Sequence, residues 1–407
     1  MSVESRAAAL LAWADRLEGA AEALARTITT ATGKPIRASR GEVTRALATL
    51  RFTAAQAARL QPEALVLPGA GRAERHRVPL GPVLAITPFN FPLNLALHKL
   101  APALLAGCPV TWKPSPKAPG VAEAALALAG DLPVRLWHGT DQEVAQALTA
   151  PDLAVVSFTG SVAVGYALQA RTTRARVLLE LGGTAAVIID DPGALDPMAQ
   201  AVALGAAGQA GQSCVSVQRI FVPRHRQDVV DALVQTFAAL PHGDPWDEAV
   251  WCGPVIDDGA AARIAGELEG LRARGGRFLT GGTWTGRVLA PTLVEGLPPE
   301  DPASGQRELF APIALLHRYD HLDDALAAVD ATPFGLQAGL WSRDEAVIAR
   351  AFARLQVGGL VINDVPTRRD DRLPYGGCRD SGNCREGALV AVDDYLTDKV
   401  LWRPGAT

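Results

Sequence analysis

The stretch GQAGQSCVSVQRI, Gly208 to Ile220, ends a glycine-rich run on a residue able to do covalent chemistry, Cys214. A free cysteine is ordinarily a small buried hydrophobe. Its thiolate, however, is a strong nucleophile. Three other stretches carry residues of matching kind. TPFNFP sets Asn90 between two prolines, where an apolar strand gives way to a helix. VSFTGSVAVG sets Gly160 and Ser161 at a strand-to-helix turn, where unused backbone N–H groups can hold phosphate. VLLELGG sets Glu180 at a strand end, ahead of two glycines that let another group come close to the backbone. Each stretch alone has a plainer reading. FTGS can be a simple helix cap, and Glu180 a surface carboxylate.

The elements that must position these residues show in the hydrophobic pattern. The first sixty residues are Ala/Leu/Arg-rich with helical spacing, Leu11, Ala14, Leu17 and Ala21 forming one stripe. TGKP, Thr32 to Pro35, divides them into two helices. ALVLPGAGRAERHRVPLGPVLAIT reads as a hairpin turning at PGAG and leading into an apolar strand. The glycines of GAGRAE stop short of a dinucleotide fingerprint and belong to that turn. From about residue 80, PVLAIT, CPVTWK, LAVVSFT and VLLELGG alternate with helical stretches, which predicts a parallel sheet with crossover helices. A second series follows AAVIIDDP: RIFVP, RFLTGG, VLAPTLVEG, APIALLHRYD, GLQAGLWS and GLVIND. Two α/β units therefore meet near residue 183. The tail DDYLTDKVLWRPG alternates like one isolated strand with no partner in its own neighbourhood.

Composition narrows the classes. A chain of 407 residues exceeds one hydrophobic core and predicts two or three domains. A net charge of -4 gives no electrostatic case for nucleic acid or an anionic membrane. No apolar run reaches the length of a membrane span, and the N-terminus reads as helix rather than as a secretory signal. Five cysteines, an odd number without a CxxC, predict reduced thiols in a cytoplasm. Seven histidines form no HxxxH or Cys/His cluster, so no metal site is expected.

In order, TPFNFP, FTGS, LELGG, GQSC (34 residues after Glu180), ELFAP and PYGG…SGNCREG resemble the motifs of the aldehyde dehydrogenase superfamily. The resemblance runs from about Ser5 to Trp402. It implies an α/β protein with a Rossmann-like cofactor domain (1–60 and 80–182) and an α/β catalytic domain (183–383). A small β oligomerisation flap would be built from hairpin 61–79 and tail 384–407. It also implies oxidation of an aldehyde to a carboxylate with NAD or NADP. Cys214 would attack the carbonyl, and the Asn90 amide with the Cys214 N–H would hold the oxyanion. Hydride loss would leave a thioester, cleaved by water that Glu180 activates. Lys99 and Glu386 match a proton relay to that base, with a plain salt bridge as the competing reading.

For the cofactor, the resemblance implies Ile86, Thr87, Pro88, Phe89, Lys113, Ser115, Leu181 and Gly182. Gly160 and Ser161 would form the pyrophosphate turn, while Glu308 and Phe310 would meet the nicotinamide ribose and ring. Phe91, His98 and Tyr375 fall where the family lines its substrate tunnel. Arg368 and Arg369 fall near the tunnel mouth, which favours small polar or anionic aldehydes unless they pair with Asp370 and Asp371. A helix-face histidine with a satisfied partner competes for His98. The final strand implies a homodimer or dimer of dimers.

Some positions depart from the pattern. Pro116 stands where NAD-preferring members often carry a glutamate, so NADP is expected to be accepted. Ala311, Thr184 and Cys384 replace a glycine, a lysine and a glycine, and the match begins later than in typical members. Two alternatives stay open: an acyl transfer to coenzyme A, against which Glu180 argues, and an inactive nucleotide-binding homologue. The intact Asn90/Glu180/Cys214 set argues against the second.

Overall fold

The protein is described by a computed structural model covering residues 1–67 and 71–404. The first series of apolar strands forms one all-parallel sheet of Val83–Ile86, Val110–Lys113, Val134–Leu136, Val155–Thr159 and Arg176–Glu180. In space their order is third, second, first, fourth, fifth. The winding direction therefore reverses beside the first strand, where open α/β sheets bind ligands. Val134–Leu136, only three residues long, carries too little pattern to be read from sequence. The helix Asn94–Ala106 is buried at every position, as its all-round apolar sequence requires, and it carries His98 and Lys99 into the interior.

The leading segment forms three helices, Val3–Gly19, Ala21–Thr32 and Ile36–Ala54, rather than the expected two. Gly33 stops the second in the left-handed region at φ 70, as TGKP suggested. The extra break falls after Gly19, a poor helix former, at Ala20. The buried stripe of the first helix is Leu10, Trp13, Ala14 and Leu17, whereas Leu11 is 42% exposed. Trp13 decides the face, because its indole donates to the Ala125 carbonyl at 3.1 Å across the domain.

The second series forms a seven-stranded sheet. Its order is Arg277–Thr280, Thr292–Glu295, Ile313–Tyr319, Arg219–Pro223, Ala186–Ile189, Gln337–Trp341, Gly359–Ile362. Only the first pair is antiparallel. VLAPTLVEG is two strands. Val288–Leu289 pairs with Trp284–Thr285, and Thr292–Glu295 joins the sheet after Pro291, which has no N–H to donate. GLQAGLWS divides likewise, because Phe334–Gly335 pairs with Cys378–Arg379 instead.

Glu63–Leu67, Gly71–Pro79 and Leu396–Arg403 make a third, three-stranded antiparallel sheet. The expected turn at PGAG lies outside the described residues except for Gly71. The tail strand is not isolated: it pairs along its length with Gly71–Pro79, from Leu396 opposite Pro79 to Arg403 opposite Arg72. That partner is remote in sequence, so local pattern could not reveal it. The strand remains a sheet edge, with Val400, Leu401 and Trp402 exposed.

Candidate active site

The loop after helix Leu195–Ala207 is shaped by backbone constraint. Gln209 and Ala210 both take φ 55, a region that residues with a Cβ seldom occupy. Gly211 follows at φ 64, packed so closely that a Cβ would come within 2.0 Å of the Ala311 carbonyl oxygen. Gln209 N donates to Trp251 O at 2.9 Å, and the Gln212 amide oxygen accepts from Ile256 N at 3.0 Å. The strain is thus held by flanking bonds, and it sets Cys214 against Val215, Leu336 and Tyr375. Cys214 Sγ lies 3.2 Å from the Tyr375 hydroxyl. Burial pushes the thiol up to about 12; the Tyr375 hydrogen bond opposes this, while Glu308 and Glu180 add to it. The Cys214 side chain is therefore held as a neutral thiol.

Glu180 closes its strand, and its backbone carbonyl accepts from Gly160 N at 3.1 Å. The side chain is buried, and desolvation, then Glu386, hold its carboxyl well above the usual carboxylate range against Lys99 and Arg369. Lys99 Nζ donates to Glu386 Oε1 at 3.1 Å, and Arg369 donates to Glu386 Oε2 at 3.2 Å. Burial raises Glu386, yet Lys99, His98 and Arg369 outweigh it and bring the carboxylate down to about 2. Among the described residues neither Lys99 nor Glu386 hydrogen-bonds to Glu180, so their direct contact is the ion pair. Asn90 is buried, and its Nδ2 donates to Gln212 O at 3.0 Å, which orients the amide against the backbone two residues before Cys214.

Residues expected at a cofactor gather at the carboxyl ends of the five parallel strands. Ile86 lies opposite both Lys113 and Phe158, and Thr159 opposite Glu180. Thr87, Pro88 and Phe89 continue the first strand, Ser115 lies just past the second, and Leu181 and Gly182 past the fifth. Ser161 caps helix Val162–Arg171 without a side-chain cap bond. Its first-turn N–H groups can therefore take an anion. A Cβ at Gly160 would meet the Phe158 ring at 2.4 Å, and one at Gly182 would meet Glu308 Oε2 at 2.6 Å. Glu308 Oε1 accepts from Gly183 N at 3.4 Å, while burial lifts its carboxyl to about 7. Phe310, at φ 48, meets Phe89 edge-on with ring centroids 6.1 Å apart. The two sheets thus bring Phe89 and Phe310 together. With the buried, unpartnered Thr159 hydroxyl, the strand-end crevice fits a dinucleotide.

The expected tunnel residues carry two cations that sequence reading left out. Lys34 Nζ lies 4.0 Å from the Phe91 ring centroid, and the Arg45 guanidinium 6.0 Å from it. Arg369, which it had named, stacks on Tyr375 at 3.7 Å. Glu42 pairs with Lys34, and Asp371 with Arg45 at 2.6 Å. His98 is buried and satisfied, its Nε2 2.9 Å from Asp371 Oδ1. Arg369 is buried against Asp371 and Glu386, whereas the Arg368 side chain is 76% exposed. Both line an open groove of about 430 Å³ beside Gly359–Ile362 that ends at Tyr375. Lys34 gave no functional signal, since TGKP reads as a helix stop. Cys384, visible only as a departure from a motif, places Sγ 3.6 Å from Glu180 Oε1.

The whole chain is similar to known proteins. The sequence model of the Aldehyde dehydrogenase family matches residues 1–401. The 3-sulfolactaldehyde dehydrogenase of Priestia aryabhattai is 34% identical over 404 residues, covering 96% of this chain and 84% of that protein. Aldehyde dehydrogenase 21 of Physcomitrella patens, solved in complex with the reaction product succinate, superposes with a TM-score of 0.95 at 34% identity, covering 99% of this chain and 86% of that one. The glyceraldehyde-3-phosphate dehydrogenase GapN of Methanocaldococcus jannaschii, complexed with NADP, gives a TM-score of 0.94 at 29% identity, covering 98% and 90%.

Proposed function

The chain belongs to the aldehyde dehydrogenase family, and from that premise we propose that it oxidises a small anionic aldehyde to its carboxylate through a thioester on Cys214. The observation that carries the reading is the convergence of a part-buried cysteine, an oriented asparagine amide and a buried glutamate beside a crevice suited to a dinucleotide.

Cys214 gives its proton to solvent, and Sγ then adds to the aldehyde carbon while the carbonyl oxygen becomes an alkoxide. The Asn90 amide and the Cys214 N–H are the donors that stabilise this charge. Bound NAD or NADP supplies the hydride acceptor; Lys113, Ser115, Gly160, Ser161, Glu308 and Phe310 would hold it. Loss of hydride from the thiohemiacetal leaves an acyl group on Sγ. Glu180 then takes a proton from water as the water oxygen adds to the acyl carbon; the C–S bond breaks and the carboxylate leaves. The raised Glu180 carboxyl suits a base working near neutral pH. Transfer of the acyl group to coenzyme A would need no such base, so water is the preferred acceptor.

An anionic substrate is supported from two sides. Sulfolactaldehyde, the aldehyde of succinate and glyceraldehyde phosphate, implied by the names of the relatives, all carry a second, negative group. Here Arg45 and Arg369 flank the aromatic walls expected to guide the aldehyde. The same reading keeps the cofactor, catalytic and flap boundaries at 1–60 with 80–182, 183–383, and 61–79 with 384–407. It also places the protein in the cytoplasm as a homodimer or dimer of dimers, on the strength of five free thiols and the exposed apolar edge at Leu396–Arg403.

The test is rapid mixing of Glu180→Gln with succinate semialdehyde and NADP. One equivalent of reduced nicotinamide should form at the parent rate, after which turnover stalls with the acyl group still on Cys214. Steady turnover at the parent rate would remove Glu180 from the mechanism.

A further inference from the structure

Resting on Glu180 being the deacylation base, we propose that the Cys384 thiol is a positioning residue: it donates to the Glu180 carboxylate and favours its ionised form in readiness for deacylation. Cys384 is buried, and its Sγ lies 3.6 Å from Glu180 Oε1 and 3.5 Å from Leu179 O. Among the described residues no other hydrogen-bond donor reaches that carboxylate. Gly376 packs on the same oxygen: a Cβ there would come within 2.6 Å of Glu180 Oε1 and 2.2 Å of the Cys384 carbonyl oxygen. Glu180 Oε1 thus lies between a glycine that leaves room for it and a thiol that can donate to it.

The thiol has two acceptors within reach. While Glu180 is ionised, S–H can point at Oε1. When the carboxylate takes a proton, the same S–H can turn to Leu179 O and is not left unsatisfied. A buried donor with one acceptor would oppose that protonation step by the cost of a lost bond. Burial, and next the Glu180 carboxylate itself, hold the thiol protonated, so it remains a donor. A glycine, the residue that Cys384 replaces in the motif, would provide no donor.

Other charges facing Glu180 come from three segments. Glu386 repels it, Lys99 and Arg369 attract it, and Cys214 and Tyr375 stand on the nucleophile side. Cys384 also faces Asp394 and Tyr395, and with Lys99 and Glu386 it lines one small cavity. None of these groups bonds to the Glu180 carboxylate, so deleting the thiol removes its one directional contact.

The experiment compares the parent, Cys384→Ala and Cys384→Ser with succinate semialdehyde and NADP, following the first-turnover burst and the steady-state rate against pH. Without the donor, Glu180 protonates at higher pH, so the acid limb of the steady-state rate should move up in Cys384→Ala. A thiol hydrogen bond is weak, and a shift of about half a unit is expected, or about threefold slower turnover on that limb. The burst rate should stay at the parent value. Cys384→Ser, which keeps a donor, should hold the limb at the parent pH, and it decides the matter if the alanine variant does not fold. A limb unmoved in Cys384→Ala, or moved equally in Cys384→Ser, overturns the proposal. Failure of the base assignment looks different: Glu180→Gln would then turn over steadily.

Discussion

Replacing Tyr375 by phenylalanine isolates what the hydroxyl 3.2 Å from Cys214 Sγ does. The ring keeps its packing with Val215 and Leu336 and its face under Arg369 at 3.7 Å. Only the O–H is lost. Burial holds the Tyr375 hydroxyl well above its ordinary pKa, so at any working pH it is protonated and donates to a thiolate. A hydrogen bond to a charged acceptor contributes about 1.5–3 kcal/mol. Sulfur is a weak acceptor, so the lower figure applies, and about 1.5 kcal/mol is roughly one pKa unit. The parent thiol, already near 12, should therefore rise further, and the thiolate fraction should fall about tenfold. The sign is clear: the thiol is raised, so reactivity climbs with pH through the whole range below it. Alkylation of Cys214 by iodoacetamide, read from the mass of its peptide between about pH 7 and 9, should rise about tenfold per unit in both proteins. The Tyr375→Phe line should run parallel and about tenfold lower, with the hydride burst slowed by a similar factor. Equal or faster alkylation in the variant would show that the hydroxyl does not stabilise the thiolate.

The remaining expectations concern cofactor, substrate and assembly. Pro116 is exposed just past the Val110–Lys113 strand and offers no charge against a 2′-phosphate. NADP should accordingly be used, and Pro116→Glu should lower its kcat/KM at least about tenfold relative to NAD; a parent favouring NAD by orders of magnitude would contradict this. Arg369→Met should cut the preference for succinate semialdehyde over an uncharged aldehyde of similar length about tenfold, as loss of one charge-assisted contact predicts. Arg368→Ala, at the solvent end of the groove, should change that ratio less than about twofold, and the reverse ranking would exchange their roles. Light scattering should find at least two chains per particle, and deleting residues 396–407 should produce monomer or aggregate. A full-length monomer would refute the assembly.

The parallel sheets were legible because their strands are short, apolar and regularly interrupted. Gly160, Ser161, Glu180 and Cys214 fell at strand ends or loops that the pattern already marked. What escaped the local pattern was set by pairing across long sequence separations. The tail strand's place beside Gly71–Pro79 came only from the family resemblance, and Phe334–Gly335 needed Cys378–Arg379. A polar residue whose partner is remote escaped in the same way. Lys34 is buried because Glu42 meets it on the next helix, and nothing around TGKP says so. Cys384 was legible as a substitution in a motif, but its meaning required seeing which carboxylate it faces.

The electrostatic character of the site was the least legible part, and it follows from the packing of acids against one another. Cys214, Glu180 and Glu308 are all raised by burial, and both carboxylates raise the thiol further. Glu386 lies in the same interior yet is driven down, because Lys99, His98 and Arg369 surround it. Lys99, Arg45 and Arg369 are paired with Glu386 and Asp371, so Arg369, which lowers the Cys214 thiol, is shared with those carboxylates. A buried thiol facing two acids gains most from a positive charge brought into the crevice, since that charge acts in a medium of low dielectric. The oxidised nicotinamide ring would supply such a charge, and Phe89 and Phe310 are among the residues that would hold the cofactor. On the proposed mechanism, a thiol that is neutral beforehand would tie formation of the nucleophile to the arrival of the hydride acceptor.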